Sequence, residues 1–313
     1  MPLSNEELLD ALDTVISIPP VPFTAEGSID YDGHGKNIDY LLSTNELEGG
    51  RRRVLCVAGT SLIHHIAADE QMRLMEFTTN RIAGCGLFIA GIAPNPLAEA
   101  ERLIEGQAQF THPPDAFLLM PLTGVADPEG IYQGYMALGE RLSATGARFL
   151  YYLRQDREAD TAVRLVNDSP RFLGIKVGTT PDDVKGIVDQ VRSDAGTVIW
   201  GVGDRSTAPA MAGAKGHTSG INIGFAKASD AINNAQRQGD YDQSNKIEAL
   251  MAPLEEIRFR NGRQYNYSAV VEALRLGSWE DVEGGAGGPF NPPVPEAVSA
   301  EVRAAIEPIL SYH

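Results

Sequence analysis

Lys176 is the residue of this chain best placed to do chemistry. It closes Phe172-Leu173-Gly174-Ile175-Lys176-Val177-Gly178, an apolar run that reads as a buried strand. Burial disfavours an ammonium charge, so a lysine there is driven towards its neutral, nucleophilic form. A neutral amine can attack a ketone and form an imine. One helix upstream, Arg148–Leu153 is a second strand-like run that carries two tyrosines near its end. A phenol there can act as a proton carrier. Side chains alternate along a strand, so only one of the pair can face the lysine. Tyr151 is the expected one and Tyr152 its direct rival.

Other strand ends supply groups that could hold a substrate. Ala58-Gly59-Thr60-Ser61 places small hydroxyl residues at a strand-to-loop junction, where N–H groups and side-chain donors suit a carboxylate. Gly201-Val202-Gly203-Asp204 and Gly216-His217-Thr218-Ser219-Gly220 mark two more such junctions. Gly59, Thr60, Ser61, Gly203, Asp204, Thr218 and Ser219 are therefore expected to bind substrate, with Thr60 and Ser61 also helping the proton transfers. His217 reads as a packed or hydrogen-bonding residue. His64 and His65 lack a neighbouring carboxylate or cysteine, so no metal is expected. The chain has no Gly-x-Ser-x-Gly elbow, His-Glu-x-x-His or Walker A loop, which removes serine hydrolase, zinc protease and kinase readings. No cofactor is implied.

The elements that must position these groups alternate along the chain. Strand candidates are Val15–Phe23, Val54–Ala58, Gly86–Ile92, Ala116–Leu122, Arg148–Leu153, Phe172–Val177, Thr197–Gly203 and Gly216–Ile221. Between them lie helical patterns such as Val184, Ile187, Val188 and Val191, which share one helix face. Acidic residues at Asp69-Glu70, Asp127-Pro128-Glu129 and Thr180-Pro181-Asp182-Asp183 read as helix starts. Eight strands alternating with helices predict an α/β fold, a closed (β/α)8 barrel whose chemistry sits at the carboxyl ends of the strands. An open doubly wound sheet is the competing architecture, but its Gly-rich dinucleotide turn is missing. The barrel core is expected over 1–225. The last barrel helix and a C-terminal helical extension fill 226–313, with helices at Tyr267–Leu276 and Ala297–Leu310 around a Gly/Pro-rich loop at 284–295. The two parts are expected to form one structural unit.

The composition sets limits on partners. With 313 residues, 43% apolar and 22% charged, the chain can bury a large core. A formal charge of −16 argues against nucleic acid or an anionic membrane as partner. Cys56 and Cys85 fit neither a disulfide framework nor a zinc spacing, as expected in a reducing cytoplasm. The opening Met1–Glu7 is acidic and helix-capping, unlike a signal peptide, and no apolar stretch reaches membrane-spanning length.

Several motifs, in order, resemble the dihydrodipicolinate synthase and N-acetylneuraminate lyase superfamily of class I aldolases. Pro20-Val21-Pro22-Phe23 with Glu26-Gly27-Ser28-Ile29-Asp30 resembles that family's opening Thr-Pro-Phe and Asp-Gly-x-Ile-Asp turn. Leu150-Tyr151-Tyr152 resembles the Leu-Tyr-Asn of its catalytic tyrosine, and Gly174-Ile175-Lys176 matches the Gly-Ile-Lys of its imine-forming lysine. Ala159–Leu165, Lys176-Val177-Gly178-Thr179 and Arg258–Leu276 are similar to the 5-dehydro-4-deoxyglucarate dehydratase branch. The chain departs at Gly59-Thr60-Ser61-Leu62-Ile63, where the family has Gly-Thr-Thr-Gly-Glu, and at Tyr151-Tyr152-Leu153-Arg154, where it has Tyr-Asn-x-Pro. The resemblance implies an imine-forming aldolase or dehydratase acting on a small 2-oxo acid such as pyruvate or a sugar-acid derivative, in a dimer or tetramer. The altered Gly59–Ile63 segment motivates the alternative of a catalytically silent barrel that senses a 2-oxo acid.

Overall fold

The computed structural model describes residues 3–313. Met1 and Pro2 of the acidic opening segment lie outside the described residues. The remainder of that segment starts a helix, where Ser4 and Glu7 form a reciprocal capping box.

Eight strands form the centre: β1 (Val15–Ser17), β2 (Val54–Val57), β3 (Leu87–Ile92), β4 (Ala116–Leu119), β5 (Phe149–Leu153), β6 (Phe172–Val177), β7 (Thr197–Trp200) and β8 (His217–Ser219). They pair in chain order, and β1 pairs in parallel with both β2 and β8, closing the barrel. Every strand residue is buried, as expected when helices cover one face and the barrel interior the other. Helix α1 (Asn5–Leu12) precedes β1. The outer ring is α2 (Tyr31–Ser43), α3 (Ala68–Ile82), α4 (Leu97–Gln107), α5 (Pro128–Arg141), α6 (Ala159–Asp168), α7 (Pro181–Gln190), α8 (Thr207–Met211) and α9 (Asn222–Gln238). Beyond it run α10 (Tyr241–Arg263), α11 (Ser268–Gly277) and α12 (Glu296–Ile306).

The expected strands are all present, though several end early. The first stops at Ser17 rather than Phe23, and the seventh at Trp200 rather than Gly203. Past those points the chain leaves the ladder to build the loops that carry the site. Asp127 caps α5 ahead of Pro128, and Thr180 with Asp183 forms a capping box on α7, as the acidic starts predicted. Residues 225 and 226 fall within α9, where Phe225 alone departs from helical geometry (φ −143°, ψ 49°). The extension shares the barrel's hydrophobic core through Met251, Leu254, Val270 and Val302. The Gly-rich loop lies along the first strand's exit, with the Ala286 N–H donating to Phe23 O at 2.8 Å.

Two features fix the frame. In register, Tyr152 on β5 opposes Lys176 on β6, and Lys176 opposes Ile199 on β7. Opposed residues in a parallel sheet point to the same face, so Tyr152 and Lys176 share the barrel interior while Tyr151 and Ile175 point to the helices. Below, the fully buried Arg53 grips Asp230 of α9 through two contacts of 2.5 and 2.7 Å. Two further donors go to Leu41 O and Thr44 O at the end of α2. With both carboxylate oxygens and four of the five guanidinium donors engaged, this pair ties the foot of β2 to two outer helices.

Candidate active site

A cavity of about 420 Å³ opens at the carboxyl end of the barrel. Lys176 rises from its floor and is only 5% exposed. Its amine lies 4.2 Å from the centre of the Tyr152 ring. Burial pulls the amine below its ordinary value, against the attraction of a Tyr152 anion and helped by repulsion from Arg263 and Arg154. Gly201 leaves room for this side chain: a Cβ there would come within 2.9 Å of Lys176 Cγ.

Tyr152, not Tyr151, lines this cavity. The expectation placed on Tyr151 gives way to strand register: its hydroxyl donates to Glu158 at 2.8 Å, and its ring meets Tyr135 edge-on at 5.9 Å. Burial and the Glu158 carboxylate drive the Tyr151 phenol far up, so it keeps its proton. Burial also pushes Tyr152 up, but the charges of Lys176, Arg263 and Arg154 outweigh it and bring the phenol down to about 7. Neighbouring tyrosines therefore stand in opposite electrostatic settings.

The hydroxyl junction after β2 divides similarly. Gly59 and Thr60 line the cavity. Ser61 does not. It is fully buried, its hydroxyl donating to Pro19 O at 2.7 Å and accepting from the Ala58 N–H at 3.2 Å. The Ser61 and Leu62 N–H groups close the turn onto Ala58 O and Gly59 O. Among the described residues, the N–H groups of Gly59 and Thr60 make no such bond, which leaves two donors for a carboxylate.

Gly203 and Thr218 line the cavity, whereas Asp204 and Ser219 lie behind it. Asp204 accepts from Ser219 Oγ at 2.5 Å and sits 3.2 Å from His217 Nε2. Burial opposes its charge, but the bonds from His217 and Ser219 hold the carboxyl below its usual range. His217 is thus a buried hydrogen-bonding residue. The reason for the miss is again parity: β8 turns only Thr218 inward, between two residues that face the helices. His64 lines the cavity with its imidazole lowered by burial, while His65 meets Phe290 edge-on at 5.1 Å. Among the described residues, no group of three or more His, Cys, Asp or Glu comes together as a metal site would need.

Three arginines in the cavity wall escaped the sequence reading: Arg154, Arg258 and Arg263. Arg258 is buried, with Nη1 2.6 Å from Glu255 and Nη2 donating to Asn266 Oδ1 at 2.8 Å. Gly220 admits it, since a Cβ there would stand 2.4 Å from Nη2. Glu255 also accepts the Asp204 N–H at 3.0 Å, so one buried carboxylate holds both Arg258 and the loop after β7. Burial raises the Glu255 carboxyl despite Arg258. Neither Arg154 nor Arg263 has a carboxylate partner among the described residues. The available signal was Arg258-Phe259-Arg260-Asn261-Gly262-Arg263, a basic cluster at an Asn-Gly helix stop in a strongly acidic chain.

A buried lysine beside a phenol, with N–H, hydroxyl and guanidinium donors for a carboxylate around it at the mouth of a (β/α)8 barrel, defines a carbonyl-handling site of the aldolase kind. The model of the dihydrodipicolinate synthetase family matches residues 11–307, and this chain belongs to that family. It is an enzyme of the lyase class. A 4-hydroxy-tetrahydrodipicolinate synthase of Pseudomonas putida is 27% identical, covering 76% of this chain and 80% of its own. A probable 5-dehydro-4-deoxyglucarate dehydratase of Allorhizobium ampelinum is 26% identical, covering 96% of each chain. The crystal structure of dihydrodipicolinate synthase from Bacillus clausii has the same fold, with TM-score 0.85 at 20% identity over 96% of this chain and 98% of its own.

Proposed function

We propose that this lyase works through an imine between Lys176 and the keto carbon of a 2-oxo acid. The observation that carries the reading is the buried Lys176 amine against the Tyr152 ring on the cavity floor. The amine adds to the ketone and water leaves, giving a protonated imine that draws electrons from the adjacent carbon. Tyr152, whose ring centre lies 4.2 Å from the amine, moves the protons. The free N–H groups of Gly59 and Thr60 hold the 1-carboxylate, and Thr218, Gly203 and Arg258 complete that side. Ser61, Asp204 and Ser219 act from behind by holding the loops.

The charge of the wall supports a choice among substrates. Arg258 is neutralised by Glu255, but Arg154 and Arg263 leave surplus positive charge near Tyr152. That surplus favours a 2-oxo acid with a second anionic end, of the kind named in the dehydratase relatives, over pyruvate alone. Loss of water from a sugar-acid-derived 2-oxo acid is the reaction proposed. A silent sensor has no use for a buried lysine whose burial weakens its hold on its proton.

The reading extends to one structural unit of barrel (1–225) and extension (226–313), since their apolar side chains share a core. It also includes a cytoplasmic setting, supported by the unpaired Cys56 and Cys85, and a homo-oligomer, for which the exposed Val125 and Phe290 are contact candidates. Among the described residues no helix is long and apolar enough to cross a membrane.

The test is to incubate the protein with pyruvate, with neutral 2-oxo acids and with 3-deoxy-2-oxo dicarboxylates, then reduce with borohydride and map adducts by mass spectrometry. Label on Lys176, with dicarboxylates reacting at lower concentration, is expected. No label with any compound overturns the imine; label equally easy with neutral acids overturns the second anionic end.

A further inference from the structure

The Tyr152 hydroxyl has an unusual set of neighbours. Its contacts are Arg154 Nη1 at 3.4 Å and Arg263 Nη1 at 3.5 Å. A guanidinium only donates, and among the described residues no acceptor bonds to this oxygen. A phenolic proton there has nothing to point at, whereas a phenolate has two cations beside it. The other titratable and charged groups nearby are Lys176 on β6 and, facing Lys176 from β2, Cys56; His64 and Arg258 stand elsewhere on the wall. Among the described residues no carboxylate lines the cavity.

The backbone is shaped to bring this about. After Phe259 the chain leaves the helix, and Asn261, Gly262 and Arg263 take left-handed conformations (φ 50°, 71° and 74°). Two of the three are not glycine, so local preference opposes the turn and surrounding contacts must hold it. The turn sends Arg263 back over the barrel, where its Nη2 donates to Gly178 O at 3.0 Å. Gly178 in turn has no room for a side chain: a Cβ would lie 2.5 Å from Tyr152 Cε2 and 2.7 Å from Arg154 Cδ. Tyr152, Arg154 and the turn carrying Arg263 are therefore locked together at the end of β6.

We propose that Arg154 and Arg263 are positioning residues that hold the Tyr152 oxygen as a phenolate, making it the resting base of the reaction. The phenolate takes one proton from the Lys176 ammonium, leaving a neutral phenol and a neutral amine whose lone pair attacks the ketone. The same oxygen then returns that proton to the hydroxyl that leaves as water. Tyr151, one residue away and facing a carboxylate, has the opposite arrangement and keeps its proton. This inference rests on Tyr152 being the proton carrier of the imine reaction.

The test is a near-ultraviolet tyrosinate titration of the wild-type protein, Tyr152→Phe, Tyr151→Phe, Arg154→Met and Arg263→Met. One phenol should ionise at about 7 in the wild type. That step should vanish in Tyr152→Phe and persist in Tyr151→Phe. Each arginine variant should move it up by about one unit, the effect of losing one cation at close range. Arg154→Lys and Arg263→Lys keep the charge, and should restore most of the shift even where a Met variant folds poorly by circular dichroism. A step unmoved in both folded arginine variants, or no tyrosine ionising near neutrality, overturns the proposal. The titration needs no substrate, so a failed borohydride label with an intact titration sinks the imine alone, and the reverse result sinks only the arginine role.

Discussion

Exchanging each adjacent tyrosine for phenylalanine separates the chemistry of β5 from its packing. Tyr152→Phe keeps the ring that lies 4.2 Å from the Lys176 amine and removes only the oxygen. Losing a positioned proton carrier costs about 10²–10⁴ in rate, or about 2.7–5.5 kcal/mol of barrier. Fold stability should fall, increasingly as pH rises above about 7, because Arg154 and Arg263 lose the charged oxygen they donate to. Tyr151→Phe acts on packing instead. It strips a 2.8 Å hydrogen bond from the buried Glu158, which should cost about 1.5–3 kcal/mol of stability because the carboxylate stays buried. The cavity is untouched, so the rate should stay within about twofold of wild type, far short of the effect of losing a proton carrier. The assay is the rate of borohydride-trapped adduct formation on each variant, alongside urea denaturation followed by circular dichroism. Slow trapping in Tyr151→Phe with normal trapping in Tyr152→Phe would refute the assignment by register, and with it the identity of the proton carrier.

Three further outcomes follow from the same geometry. Lys176→Met should abolish labelling and raise the melting temperature at neutral pH. The buried amine binds its proton less readily than in the unfolded chain, so the wild type is the less stable of the two at pH 7. That advantage of the variant should shrink as pH rises towards the unfolded lysine value of about 10.4, as thermal melts across pH would show. Asp230→Asn leaves Arg53 buried without a counter-charge and should cost about 3–5 kcal/mol in urea titration, with trapping per folded molecule unchanged. Glu255→Gln frees both Arg258 and the loop after β7, and should weaken half-saturation by the 2-oxo acid about tenfold or more, with a smaller effect on the maximal trapping rate. An unchanged half-saturation would remove Arg258 from the carboxylate side of the cavity.

Much of this molecule was legible along the chain because its signals are local. Strands buried on both faces read as continuous apolar runs, and their spacing gave the barrel. Lys176 stood out because an amine ending such a run is costly unless used. The same continuity hid the choice between Tyr151 and Tyr152. With apolar neighbours on both faces, β5 shows no alternation from which to read direction, and only its pairing with β6 supplies it. Ser61, Asp204 and Ser219 sit at strand ends of the right composition, but the turns aim them at backbone and at one another. Arg258 and Arg263 lie beyond the barrel in sequence, and nothing in their own segment says that the chain folds back over the cavity.

The sequence alone determined the alternation of elements, the closed parallel sheet and the lysine that marks its working end, since each depends on nearest neighbours and on the cost of burying a charge. Tertiary structure decided which phenol meets that lysine, which hydroxyls are scaffold, and which cations surround the substrate. Those are matters of strand register and of a distant helix end brought back through space, and both are set only once the barrel has closed.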